Sequence, residues 1–191
     1  MNYILAFGGN VESDIGVPSL TIQAAFKELN SFGVRINQAS GLYRTPCYPA
    51  GVGPDFVNAA CSAEFEGTAD QLLAICHLVE SKFGRVRADR WRQRPLDIDI
   101  IACGAAVLPD QETFFRWLGL DDADQQRTAP EQLILPHPRL QDRAFVLIPL
   151  AELGIDWVHP VLELTIAEML DRLPDGDKQA IRPLAGPAQD N

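Results

Sequence analysis

The sequence predicts an α+β fold in which one antiparallel sheet packs against helices. Short apolar runs and longer helical patterns follow the order strand, helix, strand, strand, helix, strand over about the first 105 residues. This is the order of the ferredoxin-like split βαββαβ core, in which the helices lie on one face of the sheet. The length of 191 residues and the hydrophobic share of 47% suit one domain with a substantial core.

Residues that favour turns and caps bound each element of this core. The first apolar run stops at Gly8-Gly9-Asn10, which predicts a tight loop after a buried strand. Pro18 suits the first turn of a helix that ends before Gly33, and Thr68 suits the cap of a second helix. The predicted strands are 3–7, 34–43, 55–66 and 96–102, and the predicted helices are 18–32 and 69–83.

The rest of the chain adds elements to the core. An acidic, Gln-rich insertion at about 109–132 contains a short amphipathic helical pattern. A buried helix or strand is expected at 145–153, and 166–173 is the last strong apolar pattern. Pro and Gly residues beyond it predict a loose tail at 174–191, so the expected single domain covers 1–173.

The charge balance argues against several classes of partner. With 16 basic and 26 acidic residues, the formal net charge is -10, which opposes general adhesion to nucleic acid or anionic lipid. No apolar run is long enough to span a bilayer, and no secretory signal precedes the first strand. The four cysteines show no zinc spacing, so they are interpreted as buried free thiols in a reducing, cytoplasmic protein.

The densest chemical signal is a basic loop followed by an acidic strand. Five arginines occur within residues 85–94, and Asp97 and Asp99 follow in a strand. Side chains two residues apart in a strand share a face, so the two carboxylates would point to one site, opposite Ile98. Magnesium binds one or two carboxylates and phosphate oxygens, and guanidinium groups bind phosphate through two hydrogen bonds. The pattern therefore favours a polyphosphate and metal site over simple salt bridges on a solvated surface.

A second set of residues could hold a flat ring. Phe56 and Phe145 could sandwich a heterocycle whose edge is read by the Asn58 amide. His137, between two prolines, is either a structural hydrogen-bonding group or a phosphate contact. No Gly-x-x-x-x-Gly-Lys-Ser/Thr loop is present, which excludes a Walker-type nucleotidase.

Together these motifs resemble the 6-hydroxymethyl-7,8-dihydropterin pyrophosphokinase family, over about residues 3–153. The matching blocks begin at Phe7-Gly8-Gly9-Asn10, Leu42-Tyr43-Arg44-Thr45-Pro46, Asp55-Phe56-Val57-Asn58, Glu80, Gly84-Arg85-Val86-Arg87, Arg90-Trp91, Leu96-Asp97-Ile98-Asp99, Leu135-Pro136-His137-Pro138 and Arg143-Ala144-Phe145. Members of this family transfer pyrophosphate from ATP to the pterin hydroxymethyl group in folate biosynthesis and release AMP.

The resemblance implies a role for each matching residue. Asp97 and Asp99 would bind two magnesium ions on the ATP phosphates, and Arg85 and Arg94 would hold the transferred group. The implied ATP contacts are Glu80, Arg87, Trp91, His137 and Arg143, of which Arg87 and Trp91 belong to a closing loop. The implied pterin pocket consists of Thr45, Pro46, Phe56, Asn58 and Phe145. The expected partners are ATP and the pterin alone, bound by a monomer, with no nucleic acid and no membrane.

The chain departs from the family pattern at a few positions. Arg92-Gln93 stands where Gly-Pro is common, His77 stands where Gln is common, and the insertion is longer than usual. Two other classes of protein stay open at this point. A pseudoenzyme sensor would keep the pocket without transfer, and a ferredoxin-like RNA-binding module would need aromatic strands and a basic sheet face, which the sequence lacks.

Overall fold

The computed structural model describes residues 1–47, 53–85, 93–121, 124, 128 and 130–184. The strands are β1 (Asn2–Gly9), β2 (Arg35–Ala39), β3 (Tyr43–Thr45), β4 (Phe56–Glu64), β5 (Asp97–Cys103) and β6 (Arg182–Pro183). The helices are α1 (Pro18–Ser31), α2 (Ala69–Lys82), α3 (Gln111–Leu118), α4 (Ala144–Glu152), α5 (Ile166–Asp171) and α6 (Asp175–Ala180), with a 3-10 turn at Leu140–Asp142. No helix in this part of the chain is both long and apolar enough to cross a bilayer.

The strands form one antiparallel sheet in the order β5-β1-β4-β3-β6, with β2 also paired to β4. Because β2 and β3 lie one after the other along the same edge of β4, the core order confirms the predicted ferredoxin-like topology. β1 is an inner strand of the sheet and pairs with β4 on one side and β5 on the other.

Alternate residues of β1 face two separate cores. Tyr3, Leu5 and Phe7 pack with α1 and α2, as the predicted one-sided arrangement requires. Ile4 and Ala6 pack on the opposite face against α4 and α5. The C-terminal additions therefore cover the second face of the sheet.

The α2 helix is fixed at its beginning by the predicted cap. The Thr68 hydroxyl accepts a hydrogen bond from the Gln71 backbone N–H, and the Gln71 side chain returns one to the Thr68 backbone. This capping box satisfies two N–H groups that the helix itself leaves unpaired. It sets the direction of α2, whose far end reaches the site.

The predicted strand 34–43 is interrupted in the structure. The Gly41 backbone N–H and the Tyr43 hydroxyl both donate to Glu152 of α4, at 2.9 and 2.8 Å. These bonds hold the chain between β2 and β3 against α4.

The described part of the segment expected as a loose tail, residues 174–184, differs from that expectation, and residues 185–191 lie outside the described part of the chain. Residues 175–183 contain α6 and β6, and Arg182 pairs with Arg44 of β3. A proline is tolerated in β6 because β6 lies at the edge of the sheet. One side of an edge strand has no neighbouring strand, so no backbone N–H donor is needed there.

Candidate active site

The two predicted metal ligands lie on β5 and face the same way. Asp97 and Asp99 are partly exposed, whereas the alternating Leu96, Ile98 and Ile100 are buried in the core. Both carboxylates line one pocket of about 560 Å³ along the outer edge of β5. The predicted strand periodicity is therefore confirmed.

Two of the predicted arginines converge on Asp97. The Arg85 guanidinium pairs with one carboxylate oxygen, and Arg94 Nη1 lies 2.6 Å from the other. Burial and the neighbouring charge of Asp99 raise the pKa of Asp97, against the lowering effect of Arg94 and Arg85. Repulsion between the two acids is thus only partly offset by the arginines.

Glu80 ties Arg85 to the edge of the sheet. Its side chain is 2% exposed, its Oε1 accepts a hydrogen bond from the Ile98 backbone N–H at 2.8 Å, and the same oxygen pairs with Arg85. β5 ends the described strand order, so this edge N–H is satisfied by a side chain instead of a neighbouring strand. Glu80 therefore both closes a sheet edge and orients a guanidinium group.

Two nitrogen donors converge on the other side of the acid pair. His137 Nδ1 accepts the Arg139 backbone N–H at 3.1 Å, and burial together with the Arg143 charge lowers the pKa of His137. The neutral ring then carries its hydrogen on Nε2, which lies 3.5 Å from Arg143 Nη1. Two donors cannot bond to each other, and at this separation one acceptor could receive a hydrogen bond from both. Arg143 Nη1 also lies 3.8 Å from Asp99 Oδ2.

The predicted ring-binding residues lie on the same face of the sheet, beyond β1. Asn58 of β4 is 5% exposed, and its Nδ2 donates to the Thr45 hydroxyl at 2.7 Å. Phe56 pairs with Thr45 across the sheet, and Pro46 follows directly. Phe145 lies in the first turn of α4, with the Arg143 guanidinium carbon 5.6 Å from the centre of its ring.

Gly8 leaves open space between the acid pair and Asn58. A Cβ at Gly8 would lie 3.1 Å from Asn58 Oδ1, so that amide oxygen faces the glycine. A Cβ at Gly9 would lie only 2.4 Å from the Pro95 carbonyl oxygen, a contact that no side chain tolerates. The first loop motif thus lets the backbone of the arginine loop approach β1 closely.

Sequence reasoning did not assign a structural role to Asn10. Its backbone N–H donates to the Arg94 carbonyl at 2.9 Å, and its Oδ1 accepts the Arg94 N–H at 2.8 Å. Its Nδ2 also donates to the Pro54 carbonyl at 3.3 Å. Only the position of Asn10 after Gly-Gly hinted at this role.

Arg87 and Trp91, predicted in the closing loop, lie outside the described residues.

All four cysteines are free and buried, as predicted.

Among the described residues, no group of three or more His, Cys, Asp or Glu side chains could by itself enclose a metal ion. Two carboxylates beside an open pocket suit an ion such as magnesium, which takes water and phosphate oxygens as its other ligands.

Comparison with known proteins gives a family match over most of the chain. The model of 7,8-dihydro-6-hydroxymethylpterin-pyrophosphokinase (HPPK) matches residues 4–155. A 2-amino-4-hydroxy-6-hydroxymethyldihydropteridine pyrophosphokinase of Synechocystis sp. is 31% identical over 183 residues, which cover 95% of this chain and 80% of that protein. The protein of the same name from Methylorubrum extorquens is 34% identical over 166 residues, covering 86% of this chain and 91% of the relative.

Solved structures add a likeness in fold. The HPPK-DHPS of Plasmodium falciparum, determined with pteroate, superposes with a TM-score of 0.64 at 13% identity. The match covers 90% of this chain and 44% of that one, so this chain spans less than half of the longer protein. Together with the family match over residues 4–155, these findings show that the chain belongs to the 7,8-dihydro-6-hydroxymethylpterin-pyrophosphokinase family and is a pyrophosphokinase of folate biosynthesis.

Proposed function

We propose that this pyrophosphokinase transfers the pyrophosphoryl group of ATP to the hydroxymethyl oxygen of 6-hydroxymethyl-7,8-dihydropterin, giving AMP and the pterin diphosphate. The observation that carries the proposal is the convergence of Arg85, Arg94 and Arg143 on Asp97 and Asp99, the two acids that line the pocket. In a chain of net charge -10, this local concentration of guanidinium groups is where a polyphosphate can bind.

The arginines bind and neutralise the phosphates. Arg85 and Arg94 exchange their carboxylate partner Asp97 for phosphate oxygens, which lets both guanidinium groups act on charge that spreads over the transferred group. His137 Nε2 and Arg143 Nη1, 3.5 Å apart, donate together to a phosphate oxygen on the other side of the acid pair. Glu80 keeps Arg85 in place, so we assign it a positioning role within the ATP site. Arg87 and Trp91 are proposed to close over the ATP.

The acid pair suits a divalent cation because both carboxylates share a face and the pKa of Asp97 is raised by burial and by Asp99. When bound, two magnesium ions held by Asp97 and Asp99 would neutralise and align the phosphates, with water and phosphate oxygens completing each shell. Asp97 also lies nearer to Asn58 along the sheet register than Asp99 does, so it is the acid placed beside the pterin hydroxyl.

The pterin lies over Gly8, between Asp97 and Asn58. Asn58 Nδ2 is committed to Thr45, and the Asn58 Oδ1 that faces Gly8 can accept N–H groups from the ring edge. Phe56 and Phe145 bind the faces of the ring, and Thr45 and Pro46 bound the pocket from β3. Holding the hydroxymethyl group and the phosphates in line accounts for most of the rate enhancement in this mechanism.

Two finer properties belong to the same proposal. We propose that the chain acts as a monomer on these two small molecules, with no nucleic acid or membrane partner, which light scattering of the purified protein would test. We also propose that it works in the cytoplasm, since its four buried thiols suit a reducing compartment.

The assay that tests the proposal uses purified protein with ATP, magnesium and the pterin alcohol. We expect one AMP for each pterin diphosphate, and no AMP when the pterin or magnesium is omitted. Formation of ADP would contradict pyrophosphoryl transfer, and ATP binding without any AMP would indicate a sensor. Asp99→Ala serves as the inactive control, because the Asp99 side chain is partly exposed and its removal is not expected to unfold the protein.

A further inference from the structure

The pocket beside β5 is longer than a triphosphate site requires. Leu73, His77 and Glu80 line it from α2 at helical spacing, so they share one face of the helix. Seven residues of helix advance about 10 Å, which separates Leu73 from Glu80 by that distance along the axis. Glu80 lies at the charged end, next to Arg85 and Asp97, so the Leu73 end lies away from the charges.

The far end of the pocket is built in part by the insertion. Trp117 of α3 lines the pocket, together with Pro130, Leu133 and Ile134 of the returning chain. The same stretch also brings Thr128, Glu131 and Gln132 to the pocket, so this end combines a large aromatic ring and aliphatic groups with polar side chains, whereas the other end carries the acid pair and the arginines. A ligand suited to both ends is anionic at one end and carries, at the other, a flat ring with polar groups at its edge.

The insertion is anchored to the body of the protein on both sides of Trp117. Leu108 and Leu135 exchange backbone hydrogen bonds of 2.8 and 3.1 Å, which closes the base of the insertion. Phe114, one helical turn before Trp117, is fully buried and its ring centre lies 5.4 Å from that of His159. Asp110 caps the helix by accepting the Thr113 N–H at 2.7 Å. The position of Trp117 is therefore fixed by packing.

From this arrangement we infer that Trp117 is a nucleotide-binding residue, whose indole contacts the base of the triphosphate and sets the affinity for ATP. The inference rests on the proposed use of ATP at this pocket and deepens it by assigning the base end. Bases bind the faces of aromatic side chains, and truncation of such a residue to Ala weakens binding measurably. The long insertion would then be a part of the ATP site and not a surface decoration.

The test compares a ligand that carries a nucleoside with one that consists of the triphosphate alone. Calorimetric titration in the presence of magnesium uses a non-hydrolysable ATP analogue and inorganic tripolyphosphate. We expect Trp117→Ala to weaken the ATP analogue about tenfold and to leave tripolyphosphate unchanged. Trp117→Phe should fall between the wild type and Trp117→Ala. Phe115→Ala is the matched control, because Phe115 is 47% exposed on the same helix and does not line the pocket.

The possible results separate this inference from the proposed function. If Trp117→Ala binds both ligands like the wild type, or loses both equally, Trp117 does not contact the base and the inference is overturned. In either case the wild type would still form AMP, and the proposed function would stand. If the wild type binds neither ATP nor tripolyphosphate, both proposals fail together. Circular dichroism of each variant verifies that a loss of binding is not a loss of folding.

Discussion

Asp97 and Asn58 lie at the same register on β5 and β4, with Gly8 of β1 between them. Adjacent strands are about 4.8 Å apart, so the backbones of the two polar residues are about 10 Å apart across the glycine. A side chain at position 8 would stand between Asp97 and Asn58, and one bound molecule could then not contact both. The absence of a side chain at Gly8 therefore joins the part of the site that holds the acid pair and the arginines to the part that holds Asn58.

Replacing this glycine should damage one half of the site selectively. In Gly8→Ala, the new Cβ meets Asn58 Oδ1 at 3.1 Å, so the amide must shift and the floor between Asn58 and Asp97 fills. We expect the KM for the pterin to rise about tenfold while the KM for ATP stays within about twofold. Steady-state kinetics with each substrate varied in turn measure both values. Equal rises in the two would contradict a ring bound over Gly8.

Gly9→Ala should act on the fold and on catalysis together. The new Cβ would lie 2.4 Å from the Pro95 carbonyl oxygen, which is backbone and cannot turn aside. We expect the free energy of unfolding to fall by about 1–3 kcal/mol and turnover to drop, because Arg94 next to Pro95 loses its position. Urea unfolding and kcat report the two effects. Gly176→Ala is the control, since a Cβ there meets nothing within 4 Å, and it should leave both values unchanged.

Two of the contacts of Glu80, with the Ile98 N–H and with Arg85, can be separated by two substitutions. Glu80→Gln keeps a carbonyl acceptor for the Ile98 N–H but removes the charge that pairs with Arg85. We expect it to lower the free energy of unfolding by about 1 kcal/mol, and Glu80→Leu by about 3 kcal/mol, because Leu leaves a buried N–H unsatisfied. Both variants should lose turnover. Guanidinium unfolding compares them, and equal stability of Gln and Leu would show that the Ile98 bond does not matter.

Removing either acid should abolish transfer without unfolding the protein. Asp99→Asn and Asp97→Asn keep the shape of the side chain and lose one charge of the pair. We expect turnover to fall by about 10²-fold or more in each, with a melting temperature close to that of the wild type for Asp99→Asn. Asp97 also pairs with Arg85 and Arg94, so its variant should lose more stability than that of Asp99. Near-normal turnover at saturating magnesium in either variant would contradict the assignment.

The acid pair and the core strands were predictable because both follow from short repeats in the sequence. Asp97 and Asp99 are two residues apart within an apolar strand, and that spacing alone puts them on one face. Most of the contacts that position them were not predictable. The bond from Ile98 N–H to Glu80 depends on β5 being an edge strand, which is a property of the assembled sheet.

Composition is a poor guide to the structure of the C-terminal segment for a similar reason. Pro and Gly residues after 173 are typical of loose chain, yet β6 pairs with β3 at Arg44. An edge position makes the proline harmless, and sequence spacing carries no information about which edge is available. The same holds for Trp117, whose apolar neighbours predicted a helix but not the pocket wall that it joins.

His159 should make the stability of the protein depend on pH. The ring is fully buried, and its Nδ1 accepts the backbone N–H groups of Val161 and Leu162, each at 3.1 Å. Burial lowers the pKa of His159 to about 4, so between that pH and about 6.5 the unfolded chain takes up a proton that the folded protein refuses. The free energy of unfolding should therefore fall as the pH drops from 6.5 towards 4, by up to about 1.4 kcal/mol per pH unit from this residue.

His159→Asn keeps an acceptor near the position of Nδ1 and removes the titrating group, so the stability of this variant should depend less on pH. Urea unfolding of both proteins at pH 7, 6 and 5 measures the difference, in which the other titrating groups cancel, and parallel curves would show that His159 is not the source.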